Sequence, residues 1–168
     1  MIVLLEGPDG TGKSTLYEKL QHDFDGEFIK GIWYTRANQY DWWKTHILSD
    51  IPYFIDRGFI SELVYRPIKR DRKASILLRE IGCLCTADLF VIYCTNKNAY
   101  NKTLERGDDY ITSSAEHKSI TVRYTEIMST IEMFTNSQVF NYDYEYTDYN
   151  TLLNAIKAFI NKGGNNAV

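Results

Sequence analysis

The chain alternates short apolar runs with longer segments in which apolar residues recur every three or four positions. The short runs are bounded by polar or glycine-containing turns, as is typical of buried β-strands. The clearest of them, DLFVIYC, is almost wholly apolar. The five predicted strands are residues 2–5, 27–34, 51–56, 88–94 and 138–142.

The longer segments have the spacing of amphipathic helices, and the first of them places Leu16, Leu20 and Phe24 on one face. Asp148 precedes the last segment and is a residue type that caps helix N-termini. The predicted helices are residues 13–24, 39–50, 59–68, 73–85, 120–134 and 148–161.

Strands that alternate with helices predict right-handed βαβ units and a parallel sheet that is covered on both faces. We therefore expect a three-layer α/β fold with a five-stranded parallel sheet flanked by helices. Residues 1–162 would form a single domain, and residues 163–168 a flexible tail without an apolar anchor. Ligands of such folds bind beyond the carboxyl ends of the strands.

Composition narrows the class of protein without naming a function. Of the 168 residues, 44% are hydrophobic and 24% are charged, which is an ordinary globular mixture. The net charge of −3 gives no overall attraction to nucleic acid. With no signal-like segment and no run of 18 apolar residues, we expect a cytoplasmic protein without a membrane partner. The three cysteines are expected to be reduced packing residues.

A glycine-rich motif follows the first predicted strand and precedes the first helix. Residues 7–14 read GPDGTGKS and fit G-x-x-x-x-G-K-[ST], the pattern of a loop that cradles nucleotide phosphates. Lys13 is expected to reach the β- and γ-phosphates of ATP, and Ser14 to offer its hydroxyl to Mg²⁺. The motif predicts a P-loop NTPase fold with ATP and Mg²⁺ as cofactors, but it does not name the reaction. The expected ATP-binding residues are Gly7, Gly10, Thr11, Gly12, Lys13, Ser14 and Thr15.

The same loop contains Asp9, a carboxylate at a place where anionic phosphates bind. The segment LLEGPDGTGKST resembles the thymidylate kinase form of the loop, E-G-x-D-G-x-G-K-S-T. Related deoxynucleoside kinases usually have E-G-N-I-G there, with no acid at the position of Asp9. The resemblance implies that Asp9 accepts a hydrogen bond from the sugar 3′-hydroxyl of the acceptor, and it favours a nucleoside monophosphate over a free nucleoside.

A second segment, DRGFISELVY at residues 56–65, resembles the D-R-x-x-x-S-x-x-A-Y segment of the same family. The resemblance implies that Asp56 lies near Mg²⁺ and its waters, and that Arg57 holds the acceptor phosphate and bridges to the donor. A guanidinium fork suits a phosphate that must be held in line for attack. Ser61 and Tyr65 would share one helix face beside the acceptor nucleoside.

Two further segments resemble the family more loosely. WYTR, at residues 33–36, stands where thymidylate kinases often have F-P-x-R, which implies acceptor contacts from Trp33 and Arg36. Residues 102–116 correspond to the arginine-bearing lid, in which Arg106 is the expected catalytic cation for the transferring phosphoryl group. Lys102 is a second candidate. Tyr110 is an expected acceptor contact, and Gly107 would let the lid close and exclude water.

The chain departs from the family between residues 37 and 55, a stretch that is usually longer and covers the acceptor base. Trp42 and Trp43 lie in this short stretch and could stack on a base. The acceptor base and size therefore stay open, and a modified base or a polynucleotide is included. Residues 66–73 are either a solvated basic helix end or a funnel for anionic acceptors. Residues 141–150 follow the last strand, where relatives place the adenine, and are otherwise an exposed acidic turn.

The leading prediction is a nucleoside monophosphate kinase of thymidylate kinase type, with Lys13, Arg57 and Arg106 stabilising the transferred charge and Asp9 orienting the acceptor. One alternative is a kinase that phosphorylates a hydroxyl of a nucleoside or of a modified base in DNA. Another is a regulatory module that binds ATP without transferring phosphate. The oligomeric state stays open, a homodimer included.

Overall fold

The computed structural model describes residues 1–31, 51–69, 89–107, 111–134 and 136–164. Five parallel strands form one sheet in the order β2-β3-β1-β4-β5, so the strand that precedes the glycine-rich motif lies at its centre. This arrangement confirms the five-stranded parallel sheet that the alternating pattern predicts. The strands are β1 (Ile2–Glu6), β2 (Glu27–Lys30), β3 (Tyr53–Asp56), β4 (Leu89–Cys94) and β5 (Gln138–Tyr142).

Helices cover both faces of the sheet. They are α1 (Lys13–Asp23), α2 (Phe59–Lys69), α3 (Ala99–Glu105), α4 (Ser114–Phe134) and α5 (Tyr149–Gly164). Within the described part of the chain, no helix is long and apolar enough to cross a membrane. The helices predicted at residues 39–50 and 73–85 lie outside the described residues.

The alternation of side chains along the central strand divides the core in two. Ile2 and Leu4 point to the face that α2 and α4 cover, whereas Val3 and Leu5 point to the face that α1 and α5 cover. Because both faces are sealed, β1 is buried along its whole length. Functional side chains can therefore gather only at the strand ends and in the turns that follow them.

The last two helices begin where side chains satisfy their first amide groups. Asp148 Oδ2 accepts the Thr151 N–H at 3.0 Å, which confirms the predicted cap of α5. Helix α4 begins six residues before the predicted start at residue 120, because Ser113 Oγ accepts the Glu116 N–H at 3.1 Å. Glu116 Oε2 in turn accepts the Thr112 N–H at 2.7 Å. The S-x-x-E signature of a capping box at Ser113 is the sequence signal for this earlier start.

The region predicted as a lid is partly helical as a result. Its first four residues, 102–105, belong to α3, and its last three, 114–116, belong to α4. Residues 106, 107 and 111–113 are the described residues of this region that lie between the two helices. Gly107 has φ 66°, a left-handed conformation that suits glycine, and a Cβ there would meet no atom within 4 Å.

Candidate active site

The glycine-rich loop joins β1 to α1 and lies tightly against the neighbouring strand. Gly7 has φ 140° and Gly10 has φ 79°. A Cβ on Gly7 would clash with the carbonyl oxygen of Cys94, and one on Gly10 with that of Ala99. Only glycine permits this approach at either position, so the backbone of the loop is held against β4 and the start of α3.

Lys13 is the first residue of α1, and its side chain folds back into the preceding loop. Its side chain is 5% exposed, and its ammonium donates to the carbonyl oxygen of Pro8 and to Thr11 Oγ1, the latter at 3.2 Å. Thr11 Oγ1 donates to the same Pro8 oxygen at 2.8 Å. Burial lowers the pKa of Lys13 to about 8, and the positive charge of Arg57 lowers it as well. The structure therefore places a buried cation inside the loop, where the motif predicts phosphate binding.

The residues expected at Mg²⁺ lie at the ends of neighbouring elements. Ser14 is exposed in the first turn of α1, and Asp56 ends β3, which pairs directly with β1. Asp56 Oδ1 is buried and accepts no hydrogen bond from the described residues, so it can accept from a metal-bound water. No three acidic, histidine or cysteine side chains cluster as a metal site in the described ranges. The pair fits Mg²⁺, which usually takes few protein ligands and completes its shell with water and phosphate oxygens.

Asp9, Arg57 and Tyr65 form one cluster beside the loop. The Arg57 guanidinium pairs with Asp9 Oδ1 through Nη2, and the Tyr65 hydroxyl donates to Asp9 Oδ2 at 3.0 Å. Arg57 Nη1 also lies 3.4 Å from the Tyr65 hydroxyl. Burial raises the pKa of Tyr65, so its hydroxyl stays a donor at neutral pH. The structure thus brings together three residues predicted for the acceptor from two separate segments of the chain.

Arg57 has an unusual backbone conformation. Its φ is 65°, and among the described residues it is the one non-glycine residue with positive φ. Its own N–H donates to the Leu5 carbonyl oxygen at 3.0 Å. Such conformations are disfavoured for residues with a Cβ and persist where the surroundings enforce them, often at functional sites.

Ser61, predicted to lie beside the acceptor nucleoside, points into the protein interior. Its side chain is fully buried, and its hydroxyl donates to Glu6 Oε2 at 2.6 Å and lies 2.8 Å from the Tyr124 hydroxyl. The reason is the carboxylate of Glu6, which needs hydrogen-bond donors because it is 0% exposed. Ser61 therefore acts within the protein interior, and Tyr65, one turn later, carries the contact with Asp9.

A cavity of about 260 Å³ lies between the loop, the first turns of α1 and the turn that follows β5. Arg106 and Tyr144 line it together with the loop glycines, and a Cβ on Gly12 would lie 2.9 Å from the Tyr144 ring. The ammonium of Lys102 lies 4.2 Å from the centre of that ring and pairs with Glu145 at 2.7 Å. Arg106 therefore borders this cavity, and Lys102 is engaged by the turn that follows β5.

The remaining predicted features are either engaged elsewhere or outside the described residues. Within the basic run at 66–73, Lys69 pairs with Glu116 at 2.7 Å and ties α2 to α4. Cys94 is a buried free thiol, and burial raises its pKa to about 12, in agreement with a packing role. The predicted acceptor contacts that lie outside the described residues are Trp33, Arg36, Trp42, Trp43 and Tyr110.

The sequence alone does not single out three residues next to the predicted site residues: Glu6 and Tyr124, which are buried against each other, and Tyr144, which lines the cavity. Glu6 was visible as the first acid of the loop motif, but its burial depends on side chains from distant segments. Tyr124 contacts Glu6 from a position 118 residues further along the chain, and no local pattern marks it. Tyr144 lies in the tyrosine-rich turn after β5, whose position in the fold was the available signal.

Several solved structures, kinases among them, match the chain along nearly its whole length. The YorR protein of Bacillus subtilis, solved in complex with phosphorylated GDP, is 20% identical, with a TM-score of 0.71 and 96% of each chain covered. A deoxyadenosine kinase from M. mycoides with bound dCTP is 18% identical, with a TM-score of 0.62 and coverage of 96% of this chain and 100% of that one. Thymidylate kinase from Candida albicans is 17% identical, with a TM-score of 0.60 and coverage of 98% and 92%.

No protein-family model matches the chain, and no curated protein matches its sequence. The structural matches therefore establish the architecture and leave the reaction to be argued from the site. They agree with the resemblance to thymidylate kinases that the segments LLEGPDGTGKST and DRGFISELVY indicate. The chain has the three-layer fold shared by thymidylate kinases, deoxyadenosine kinases and other P-loop kinases.

Proposed function

We propose that the protein transfers the γ-phosphate of MgATP to the 5′-phosphate of a deoxynucleoside monophosphate, in the manner of a thymidylate kinase. The observation that carries this proposal is the cluster of Asp9, Arg57 and Tyr65 beside the phosphate loop. A fixed cation next to a carboxylate can bind both the phosphate and the sugar hydroxyl of one nucleotide. The shared fold of nucleotide and nucleoside kinases supports the same class of reaction.

In the proposed reaction an oxygen of the acceptor phosphate attacks the γ-phosphorus, and the bond to the β,γ-bridging oxygen breaks. Lys13 offsets the negative charge of the β- and γ-phosphates, and Arg57 holds the acceptor phosphate in line. Ser14 and a water held by Asp56 would position Mg²⁺, which when bound neutralises charge on the phosphate oxygens. No side chain needs to form a covalent intermediate.

Acceptor binding would rearrange the Asp9 cluster without building a new one. Arg57 and Tyr65 already occupy both oxygens of the Asp9 carboxylate. When the acceptor phosphate recruits the guanidinium, one oxygen of Asp9 becomes free to accept the sugar hydroxyl. Arg57 would then make a charge-assisted bond to the phosphate, and the Asp9 carboxylate one to the sugar hydroxyl.

We expect Asp9→Asn to impair acceptor use selectively. A hydrogen bond to a charged group contributes about 1.5–3 kcal/mol, so kcat/KM for the acceptor should fall by about 10- to 150-fold. The dissociation constant of ATP should change by less than about twofold, because Asp9 does not hold the ATP phosphates. Steady-state kinetics and calorimetry with ATP measure the two quantities, and Asp25→Asn, an exposed acid, is the control. An equal loss of ATP and acceptor binding would contradict this assignment.

The cavity beside Tyr144 is the proposed site of the donor base. The Tyr144 ring offers a stacking face, and Arg106 supplies a planar cation on the same cavity wall. Arg106 would then contact the donor nucleotide in addition to its predicted role at the transferred phosphoryl group.

Replacing Tyr144 with alanine should therefore weaken ATP binding. Base stacking on an aromatic ring contributes about 1–3 kcal/mol, so the KM for ATP should rise by about 5- to 150-fold while the KM for the acceptor stays within about twofold. The matched control is Tyr146→Ala, since Tyr146 belongs to the same turn, is 67% exposed and does not line the cavity. Equal effects of the two substitutions would place the base elsewhere.

One observation favours a second candidate, a kinase that phosphorylates a hydroxyl group of a nucleoside. Asp9 and Arg57 neutralise each other, so their cluster carries no net charge for attracting a phosphate. Labelled ATP offered with deoxynucleotides, nucleosides and oligonucleotides separates the candidates. Label on a deoxynucleotide supports the leading proposal, and label on a nucleoside or an oligonucleotide alone overturns it. Tight ATP binding without any product would indicate a regulatory module.

A further inference from the structure

The buried carboxylate of Glu6 joins three elements behind the Asp9 cluster. Glu6 ends β1 and is 0% exposed. Its Oε1 accepts the N–H of Gly58 at 2.7 Å, in the turn between β3 and α2. Its Oε2 accepts the hydroxyls of Ser61 in α2 at 2.6 Å and Tyr124 in α4 at 3.3 Å.

A carboxylate in this position is not explained by packing. Burial of an ionisable group away from water is unfavourable, and an apolar residue of similar size could fill the space. Burial raises the pKa of Glu6 to about 7, against the hydrogen bonds from Ser61 and Gly58 and the charges of Arg57 and Lys13, which lower it. The position therefore calls for a structural role that requires hydrogen-bond acceptors.

The role is visible in the two peptide groups on either side of Arg57. The first donates its Arg57 N–H to the Leu5 carbonyl oxygen at 3.0 Å, and the second donates its Gly58 N–H to Glu6 at 2.7 Å. Both acceptors belong to β1, so the end of the central strand fixes the backbone before and after the Arg57 Cα. This pair of bonds accounts for the left-handed φ of 65°.

We propose that Glu6 is a positioning residue for the acceptor: its carboxylate holds the turn at Gly58 so that the Arg57 guanidinium faces Asp9 and the bound acceptor. This inference rests on the proposed function, because it assigns the orientation of the cation that would hold the acceptor phosphate. The second oxygen of Glu6 fixes α2 and α4 through Ser61 and Tyr124, so the turn is anchored to helices as well as to the sheet.

The kinetic test compares three substitutions. Glu6→Leu removes both carboxylate oxygens that accept hydrogen bonds. It should raise the KM for the nucleotide acceptor by at least tenfold, while the dissociation constant of ATP changes by less than twofold. Glu6→Gln keeps one oxygen for the Gly58 N–H and should recover most of this loss. Tyr124→Phe leaves the Gly58 bond in place and should stay within about threefold of wild type. Thermal unfolding of each variant checks that it is folded.

A second measurement is independent of any acceptor. In NMR spectra of ¹⁵N-labelled protein, Glu6→Leu should shift the Gly58 amide proton upfield and broaden the Arg57 Nε signal, and Glu6→Gln should restore both. An unchanged Arg57 signal in a folded Glu6→Leu variant overturns the positioning role whether or not the protein is active. An altered Arg57 signal without any acceptor activity in the wild type would instead reject the proposed function and support only the orientation of Arg57 by Glu6. If the dissociation constant of ATP and the KM for the acceptor rise equally, Glu6 supports the whole loop and the inference is wrong.

Discussion

Alanine in place of Lys13 is expected to lower the rate of phosphoryl transfer by at least about a thousandfold. The loss of one preorganised group that stabilises transition-state charge typically reduces kcat by about 10²–10³, and Lys13 is a full charge in a buried position. Single-turnover assays with labelled ATP measure the chemical step directly. Because the side chain is enclosed by Pro8 and Thr11, its removal should also leave a small cavity, so thermal unfolding must be recorded with each assay.

Lys118→Ala is the control for this substitution, because Lys118 is an exposed lysine on α4 and does not contact the loop. It should leave transfer unchanged. If Lys13→Ala keeps full ATP-dependent transfer, the charge of this lysine is not part of the mechanism and the proposed reaction is wrong.

Arg57→Lys should reduce kcat/KM for the acceptor by about 10²-fold or more, although the charge is kept. A lysine cannot reproduce the planar fork that contacts Asp9 and would bind a phosphate through two parallel hydrogen bonds. Arg57→Ala removes the charge altogether from a pair whose side chains are 16% and 18% exposed, so it should be more severe than Arg57→Lys. Steady-state kinetics with varied acceptor and saturating ATP provide the measurement.

A double-mutant cycle with Asp9→Asn makes this test specific. If Asp9 and Arg57 act on the acceptor through one cluster, the double variant should lose much less than the sum of the two single losses in free energy. Full additivity would show that the two residues work independently, despite their contact in the structure.

The sequence predicts the parts of the site that are built from neighbouring residues. The strand, the glycine loop and α1 are contiguous, and their geometry follows from turn-forming glycines and the helical spacing of Leu16 and Leu20. The contact of Asp9 with Arg57 spans 48 residues, and it could be expected because both segments follow adjacent strands and resemble one family.

The orientation of Ser61 could not be predicted in the same way. A serine one turn before Tyr65 is placed on the correct helix by its spacing, but the direction of its hydroxyl depends on Glu6 and Tyr124. Those residues come from other parts of the chain, and only the packed structure brings a buried carboxylate to that point. The cavity at Tyr144 could not be predicted either, because it depends on contacts between distant segments. Lys102, whose ammonium lies over the Tyr144 ring, pairs with Glu145 across 43 residues.

The burial of Glu6 has a further consequence, which concerns how stability depends on pH. The unfolded chain has an ordinary glutamate with a pKa of 4.5, whereas the folded protein holds this group at about 7. Between these values the folded state binds the extra proton, so the free energy of unfolding decreases as pH rises and levels off above 7. The difference corresponds to roughly 3 kcal/mol, a sizeable part of the stability of a small domain. Denaturant titrations at pH 5 and pH 8 should show this loss in the wild type and a smaller one in Glu6→Gln. Near neutral pH, ionisation of the residue proposed to orient Arg57 therefore makes the fold less stable than it is at pH 5.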